Sequence, residues 1–277
     1  MRRRAAPRVI ALAVAALLGA ARPAVAAPAS QPATAPALPP PPPVTVAPAP
    51  RLAVPRLTVD WRIDGPVTGV LAVTLVATEY RIASLAPAAC HWCQSNAFDR
   101  AGRDLRWGAI GTADALSYVT LFLTPAVTVA LLGLDAYPAG GLRRWADDTL
   151  IAAEATALAG VLTQAVKLAA GRQRPFVRAL PPADRAHTSD PADNNLSFFS
   201  GHASLAFAAA TSVGTVATLR RYRLAPYVWA AGLTLAALTA YLRVAADKHY
   251  ATDVLTGAAV GAAVGWAVPY LHYRLKW

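Results

Sequence analysis

Long apolar runs constrain the fold of this chain more than any other feature of its sequence. A helix needs about 20 apolar residues to cross the hydrocarbon core of a bilayer. Six consecutive segments come close to that length, at residues 66–85, 112–134, 146–169, 202–219, 225–246 and 250–271. They lack the strict alternation of apolar and polar residues that a transmembrane barrel requires. The sequence therefore predicts an all-α fold, built as a six-helix transmembrane bundle.

The charged residues favour a membrane location. They make up 15% of the chain, against about 25% in a typical soluble domain. The net charge is +11, and the arginines cluster at the ends of the apolar runs, as is typical of flanks that meet anionic lipid head groups. A nucleic-acid-binding chain gathers its basic residues into one stripe or patch. We therefore expect the lipid bilayer as a partner, and neither nucleic acid nor an obligatory protein partner.

The N-terminal quarter of the chain is predicted to lie outside the fold. Residues 1–27 resemble a secretory signal peptide, with arginines first, then a short apolar core, then Ala-Val-Ala at residues 24–26 as a cleavage site. An uncleaved N-terminal anchor is the alternative. Residues 28–60 are rich in Pro and Ala, which predicts an extended, disordered linker. The membrane domain is expected in residues 61–277.

Cys90 and Cys93 are the two cysteines of the chain, and they form a C-x-x-C motif. Gln94 stands where a haem attachment motif has His. A zinc site needs more ligands than one such pair supplies, and the flanks do not have a thioredoxin-like pattern. A structural disulfide in an oxidising compartment is the favoured interpretation.

Two basic residues lie near the end of the third apolar segment. Lys167 closes the segment, and Arg174, followed by Pro175, comes seven residues later in a polar loop. A planar guanidinium matches the oxygens of a phosphate. Taken alone, however, the pair is more typical of the basic flank of a membrane helix.

Ser200-Gly201-His202 opens the fourth apolar segment. The first amides of a helix lack internal partners and attract anions. Gly201 permits close approach of a ligand to the backbone, and His202 can donate a proton to a group held there. The alternative is that Ser200 is simply the N-cap of the helix.

Arg243, His249 and Asp253 surround the junction of the fifth and sixth segments. The spacing of His249 and Asp253 places both on one face of a helical turn. A carboxylate beside an imidazole fixes its tautomer and stabilises its cation, which makes the imidazole a useful nucleophile. On its own, a His–Asp pair is often a structural hydrogen bond.

The three stretches are expected to meet at one membrane face. In a bundle of alternating helices, the ends of the third and fifth segments and the starts of the fourth and sixth lie on the same side. Three cations, two histidines and a carboxylate would then surround a helix N-terminus. A site that only binds phosphate would not need two histidines and an orienting acid, so the combination predicts an enzyme.

These stretches resemble the signature of the type-2 phosphatidic acid phosphatase superfamily, which also contains bacterial acid phosphatases and vanadium haloperoxidases. That signature reads K-x6-R-P, P-S-G-H and S-R-x5-H-x3-D. The chain has the first motif in full at Lys167–Pro175, whereas Phe199 replaces the Pro of the second and Leu242 the Ser of the third. Both departures leave the catalytic side chains intact. The resemblance covers roughly residues 66–271.

The resemblance implies a role for each matching residue. His249 would attack phosphorus and form a phosphohistidine, Asp253 would orient His249, and His202 would protonate the leaving alkoxide and later activate water. The phosphoryl oxygens would be held by Lys167, Arg174, Arg243, Ser200 and the amide of Gly201. No metal and no other cofactor is implied. Residues 61–277 would then form a membrane phosphatase domain acting on a lipid phosphate monoester or diphosphate.

Two other functions remain open. A vanadate-dependent haloperoxidase-like enzyme would use the same anion site, although such relatives are typically soluble and longer. A non-catalytic membrane transporter or structural protein of the same fold would use Glu79 and Glu154 as transport residues. The bland interpretation of these buried charges is that they pair within the bundle. The sequence does not choose among phosphatidic acid, phosphatidylglycerol phosphate, undecaprenyl diphosphate and lipid A phosphate as the substrate.

The expected location is a bacterial-type inner membrane, with several passes and the active site facing the periplasm. The disulfide and the family both favour that face. Six spans after a cleaved signal would instead place the site in the cytoplasm. That conflict is removed if residues 66–85 lie in the interface or re-enter, or if the N-terminal segment is neither cleaved nor inserted as supposed.

Overall fold

The structure is a computed structural model that describes residues 56–274. The predictions for residues 1–27, and for the linker as far as residue 55, lie outside the described residues. Residues 56–60, also predicted as linker, belong to the folded part. Arg56–Leu57 (β1) pairs antiparallel with Tyr273–Arg274 (β2), so the folded part of the chain begins before residue 61.

Apart from this short strand pair, the described part of the chain is helical, which confirms the all-α prediction. The helices are α1 (Asp64–Tyr80), α2 (Ile82–Leu85), α3 (Ala97–Gly102), α4 (Ile110–Ala170), α5 (Pro175–Arg178), α6 (Gly201–Leu219), α7 (Ala225–Ala245) and α8 (Ala251–Leu271). Single 3-10 turns lie at Arg103–Leu105, Pro182–Asp184 and Pro191–Asp193. Every predicted apolar segment is therefore helical, apart from Arg81 between α1 and α2, Ala246 after α7 and Tyr250 before α8.

The long helix α4 folds back on itself at Gly140 and Gly141, whose backbone angles are not helical. Gly141 has a φ of +67°, which glycine adopts without strain. Beyond the break, the indole nitrogen of Trp145 donates to the carbonyl of Val129 at 3.2 Å. In a straight helix these residues would stand about 24 Å apart. The connection predicted around residues 135–145 is thus helical on both sides of a break of two glycines.

Within residues 56–274, four helices are long and apolar enough to cross a membrane: α4, α6, α7 and α8. Helix α1 has 17 residues, and the two arms of α4 count as one helix in that total. The predicted number of six spans is therefore not confirmed, and it stays a prediction. The apolar helices support a membrane-embedded protein.

Helix α6 lies at the centre of the bundle, and α8 packs closely against it through a stripe of glycines. A Cβ at Gly257 would lie 2.5 Å from the carbonyl oxygen of Ser200. At Gly265 it would lie 2.5 Å from the carbonyl oxygen of Ala208, and Gly261 between them faces the backbone of Ser204. Glycine is required at these positions because the two backbones touch. This close approach fixes the start of α8 against the start of α6.

The bundle has two chemically different ends. The end that carries β1 and β2 also holds a buried ion pair, in which Arg220 lies 2.7 Å from Asp148. His272 lies at the same end, where its Nε2 is 3.1 Å from Glu154. Glu154 is thus paired within the bundle, as expected if it has a structural role and is not a transport residue. At the other end, the starts of α4, α6 and α8 meet the ends of α1, α4 and α7.

Candidate active site

A cavity of about 430 Å³ opens at this second end. Six of the predicted site residues line it: Lys167, Arg174, Gly201, His202, Arg243 and His249. Asp253 and Ser200 are fully buried behind them. The structure therefore brings the three sequence motifs together at one end of the bundle, where the alternation of helix direction predicts them.

His249 is held with one ring nitrogen fixed and the other facing cations. Its Nδ1 lies 2.7 Å from the carbonyl oxygen of Ser197, and its Nε2 lies 3.2 Å from Nη1 of Arg174. A carbonyl only accepts and a guanidinium only donates, so Nδ1 carries the proton and Nε2 carries a lone pair. Burial, followed by the charges of Arg174 and Arg243, holds the pKa of His249 well below its usual value of 6.5. The imidazole is therefore neutral, and the lone pair on its Nε2, which accepts from Arg174 in the free protein, lies at the cavity.

Asp253 does not contact His249 directly, but acts on it through Ser197. Its nearest carboxylate oxygen is 3.7 Å from Nδ1 of His249, too far for a hydrogen bond. That oxygen accepts from the hydroxyl of Ser197 at 2.5 Å and from the backbone N–H of Tyr250 at 2.9 Å. Ser197 thus links the two residues, because its hydroxyl binds the carboxylate and its carbonyl binds the imidazole.

Arg172 anchors Asp253 from the other side. The guanidinium is fully buried and donates to both Asp253 and Asp99. It stacks between the rings of Trp92 and Tyr250, with its carbon 4.0 Å and 4.4 Å from the ring centroids. A buried cation between two carboxylates and two aromatic faces is rigidly held. Asp253 therefore has very little freedom to move.

The cysteine motif lies next to this anchor. Cys90 and Cys93 form a disulfide in the structure, and Trp92 lies between them in sequence. The backbone of Trp92 also contacts the loop after α4, since its carbonyl accepts from the N–H of Gln173 at 3.1 Å. The disulfide therefore closes the short turn that presents Trp92 to Arg172.

The two arginines of the cavity are each paired with a carboxylate. Arg174 donates to the side chain of Asp193 at 2.5 Å and to the carbonyl of Lys248 at 2.7 Å. Arg243 donates to Asp114 and, at 3.0 Å, to the hydroxyl of Ser117. The carboxylates are partly exposed, whereas both arginines are almost completely buried. An incoming phosphate would therefore compete with Asp193 and Asp114 for the guanidinium groups.

Lys167 and Gly201 lie opposite each other where α4 ends and α6 begins. A Cβ at Gly201 would lie 3.4 Å from the Lys167 ammonium nitrogen, so the absence of a side chain leaves room beside that cation. Ser200 is the N-cap of α6 and accepts from the N–H of Ala203 at 3.4 Å. Ser200 thus has the geometry of a helix cap. Gly201, and not Ser200, lines the cavity.

His202 lies across the cavity from this anchored group. Its ring packs edge-on against Tyr118 with the centroids 4.4 Å apart. Its Nε2 is buried and has no hydrogen-bond partner among residues 56–274. Such a nitrogen is costly to leave unpaired, which is expected where a ligand supplies the partner.

Sequence reasoning missed several residues of the site. Arg172 stands two residues before Arg174, in the same loop, and that short spacing could have drawn attention to it. Ser197 could have been noticed in the same way, because it lies just before the second motif. Asp99 has none, since 73 residues separate it from Arg172 and its own neighbours are ordinary surface residues.

Comparison with known proteins confirms the resemblance noted from the motifs. The model of the PAP2 superfamily matches residues 148–277, a stretch that contains all three motifs. Lipid A 1-phosphatase of Porphyromonas gingivalis is 34% identical over 126 residues, which cover 46% of this chain and 24% of that protein. The chain thus spans about a quarter of the length of the curated relative that it matches.

A solved structure is also similar. It is the crystal structure of a transmembrane PAP2-type phosphatidylglycerolphosphate phosphatase from Bacillus subtilis. The TM-score is 0.46 at 17% identity, over 75% of this chain and 94% of that one.

Proposed function

We propose that this PAP2-superfamily chain is a membrane phosphatase that removes phosphate from a lipid through a phosphohistidine at His249, without a metal ion. One observation carries the proposal. The unprotonated Nε2 of His249 faces the cation-lined cavity, while Nδ1 is fixed by the carbonyl of Ser197. A neutral imidazole aimed at an anion site is the arrangement that nucleophilic attack on phosphorus needs.

The first step transfers the phosphoryl group to the protein. The lone pair of His249 Nε2 forms the N–P bond while the P–O bond to the lipid alcohol breaks. The electron pair of that bond goes to the leaving oxygen, which takes a proton from His202. Lys167, Arg174 and Arg243 hold the three outer oxygens, since phosphoryl transfer depends mainly on positioning and charge stabilisation.

The second step releases the phosphate. His202, now neutral, takes a proton from a water molecule, whose oxygen attacks phosphorus as the N–P bond breaks. The lone pair returns to Nε2 and inorganic phosphate leaves. Ser197 and Asp253 stabilise the positive charge that His249 carries in the intermediate, because the carboxylate lies 3.7 Å from its Nδ1.

Two observations support a lipid as the substrate. The cavity lies at the ends of apolar helices, and the ends of helices that cross a bilayer meet its head groups. The relative that is 34% identical over 126 residues is named as a lipid A 1-phosphatase. A site facing the periplasm is favoured by the disulfide at Cys90 and Cys93, since disulfides persist in oxidising compartments.

Phosphate release from a panel of lipid phosphates, by the full chain in detergent and with EDTA present, tests this function. We expect release that survives EDTA and vanishes in His249→Ala. If the substrate carries a labelled phosphate, quenching during turnover should trap the label on the protein. The bond should be stable in alkali and broken in acid, as a phosphoramidate is. Activity that needs an added metal ion, or that persists in His249→Ala, would overturn the mechanism. No release from any lipid would overturn the function.

A further inference from the structure

The cavity continues beyond the phosphate-binding cations towards α1. There its wall is apolar, formed by Leu75, Val76 and Leu205, except for two polar residues, Glu79 and Gln164. Neither of them belongs to the sequence motifs. Gln164 precedes Lys167 by three residues on α4, so both lie on the same helix face. The polar pair therefore stands directly beside the phosphate site, where the leaving group of a bound substrate would lie.

Gln164 presents an acceptor that has no donor. Its amide nitrogen donates to the carboxylate of Glu79, which leaves the amide oxygen on the other side. That oxygen is buried and has no hydrogen-bond partner in the described part of the chain. The side chain as a whole is only 6% exposed. A buried carbonyl oxygen without a donor is costly, and a ligand that donates a hydrogen bond would remove the cost.

Glu79, an exposed residue, adds a second acceptor with a negative charge. It lies at the end of α1, which packs closely on α4 because a Cβ at Gly160 would lie 2.6 Å from Leu75. An ionised carboxylate repels phosphate, so its place beside Lys167 is not explained by phosphate binding. A second cation would be repelled by Lys167. A neutral hydroxyl satisfies both constraints, because it donates to a carboxylate and carries no charge.

We propose that Glu79 and Gln164 form a subsite for a hydroxyl group on the alcohol side of the scissile phosphate. The preferred substrates are then phosphates of polyhydroxy head groups, such as glycerol or a sugar, rather than phosphates of plain aliphatic alcohols. This inference rests on the proposed phosphatase function. It adds a specificity determinant that acts by accepting hydrogen bonds, whereas the motif residues bind the phosphate by donating them.

A matched pair of substrates tests the subsite in the unaltered protein. One is a hexadecyl ether of glycerol phosphate with a free hydroxyl beside the phosphate ester. The other is the same lipid with that hydroxyl methylated, which removes the donor. We expect kcat/KM to be at least about tenfold higher for the free hydroxyl, because a buried acceptor left without its donor discriminates strongly.

Variants distinguish this subsite from a steric effect of the methyl group. Gln164→Leu and Glu79→Gln should each reduce the ratio of the two kcat/KM values, whereas Asp104→Asn, an exposed acid outside the cavity, should keep the wild-type ratio. Gln164→Met keeps the length of the side chain and serves if Gln164→Leu does not fold. Hydrolysis of both lipids at equal rates by the wild type, or a ratio that no variant changes, would overturn the subsite. If the wild type hydrolysed neither lipid nor any other phosphate monoester, the proposed function itself would fall.

Discussion

The two sides of the cavity differ in how completely their polar atoms are paired. On the side of the proposed nucleophile, His249, Asp253 and Arg172 are buried and held by several hydrogen bonds each. On the side where a leaving group would lie, the Nε2 of His202 and the Oε1 of Gln164 are buried without a partner within residues 56–274. Among the three residues of the first side only the Nε of Arg172 lacks a partner within residues 56–274, so that side is largely paired in the free protein, whereas the other is completed by a ligand.

This difference follows from what each side has to do. A nucleophile must be aimed before the substrate arrives, because misplacement by about 1 Å can cost about a hundredfold in rate. A proton donor and a head-group subsite must instead leave their hydrogen bonds free for the substrate. The first side should therefore contribute to both stability and activity, and the second mainly to activity.

Arg172→Ala should have the largest effect, because it affects stability and activity together. Removing the guanidinium leaves Asp99 and Asp253, both fully buried, without their cation. Breaking a buried pair in this way costs about 3–5 kcal/mol. We expect the midpoint of thermal unfolding in detergent to fall by on the order of 10 °C, and kcat to fall with it as Asp253 loses its position.

The matched control for that change is Arg100→Ala. Arg100 is an exposed arginine of α3 whose guanidinium contacts only the carbonyl of Ser95 among the described residues. Its replacement should leave both the unfolding midpoint and kcat near the wild-type values. If Arg172→Ala were as stable as Arg100→Ala, the anchored side would not be held by this ion pair.

His202→Gln should lower activity without lowering stability. Loss of a general acid reduces kcat by about 10²- to 10³-fold when the leaving group is a lipid alcohol, which needs a proton. In the first turnover, which precedes the water attack that also needs His202, the loss with p-nitrophenyl phosphate should shrink to less than about tenfold, because its leaving group departs as a stable anion. The unfolding midpoint should stay within a few degrees, because Nε2 of His202 has no partner to lose. An equal loss of the first-turnover rate with both leaving groups would show that His202 does not act as the acid.

Much of the fold could be predicted from the sequence. Six apolar stretches at helical length predict the helices. Gly257, Gly261 and Gly265, at every fourth position, mark a face of α8 that another helix can approach closely, and in the structure that helix is α6. The fold-back of α4 at Gly140 and Gly141 is a different matter. A pair of glycines signals a break in a helix but does not say how many residues around it stay helical, because that depends on contacts such as Trp145 with Val129.

The site was predictable where its residues lie at helix ends and not where they meet by tertiary contact. Local spacing predicted that His249, Arg174 and Arg243 meet at one membrane face, and all three line the cavity. It also suggested that Asp253 orients His249 directly, whereas the carbonyl of Ser197 occupies that position. A backbone carbonyl has no signature in the sequence, so such a partner is visible only when the fold is known.

Asp114→Asn tests whether Asp114 competes with phosphate for Arg243. Asp114 occupies Arg243 in the free protein, and a phosphate must compete with that charge. Removing it should make inorganic phosphate a stronger product inhibitor, with an inhibition constant about three- to fivefold lower, as expected for a partly exposed ion pair. Asp104→Asn, an exposed acid away from the cavity, is the control. An unchanged or weaker inhibition by phosphate would mean that Asp114 positions Arg243 and does not compete with the substrate.

Changes of pH should have the smallest effect on stability and activity. They distinguish two histidines at opposite ends of the bundle. Burial, followed by the charges of Arg174 and Arg243, lowers the pKa of His249 far below 6.5. His272 behaves in the opposite way, because its hydrogen bond to Glu154 raises its pKa above 6.5. His249 should therefore stay neutral, and nucleophilic, through the range in which His272 loses its proton.

The signs of the two shifts give separate predictions for stability. The pKa of His272 is raised on folding, so its contribution is complete below pH 6.5 and is lost as the pH rises through the folded value. The pKa of His249 is lowered, so stability declines as the pH falls below 6.5, where the unfolded chain takes up a proton that the folded chain refuses. A titration of the imidazole resonances by NMR, assigned with His249→Asn and His272→Gln, would measure both values directly.

The same shift predicts how activity responds to acid. An imidazole with a pKa of 6.5 would be about 10% neutral at pH 5.5, and kcat would fall about tenfold. Because the pKa of His249 is far lower, we expect the rate of the first turnover with p-nitrophenyl phosphate, whose leaving group needs little help from the acid His202, to change by less than about twofold between pH 7.5 and pH 5.5. A tenfold fall across that interval, with an imidazole resonance of His249 titrating near pH 6.5, would mean that the nucleophile is not held in the neutral form. The side of the cavity that holds His249 would then be less rigidly organised than its hydrogen bonds indicate.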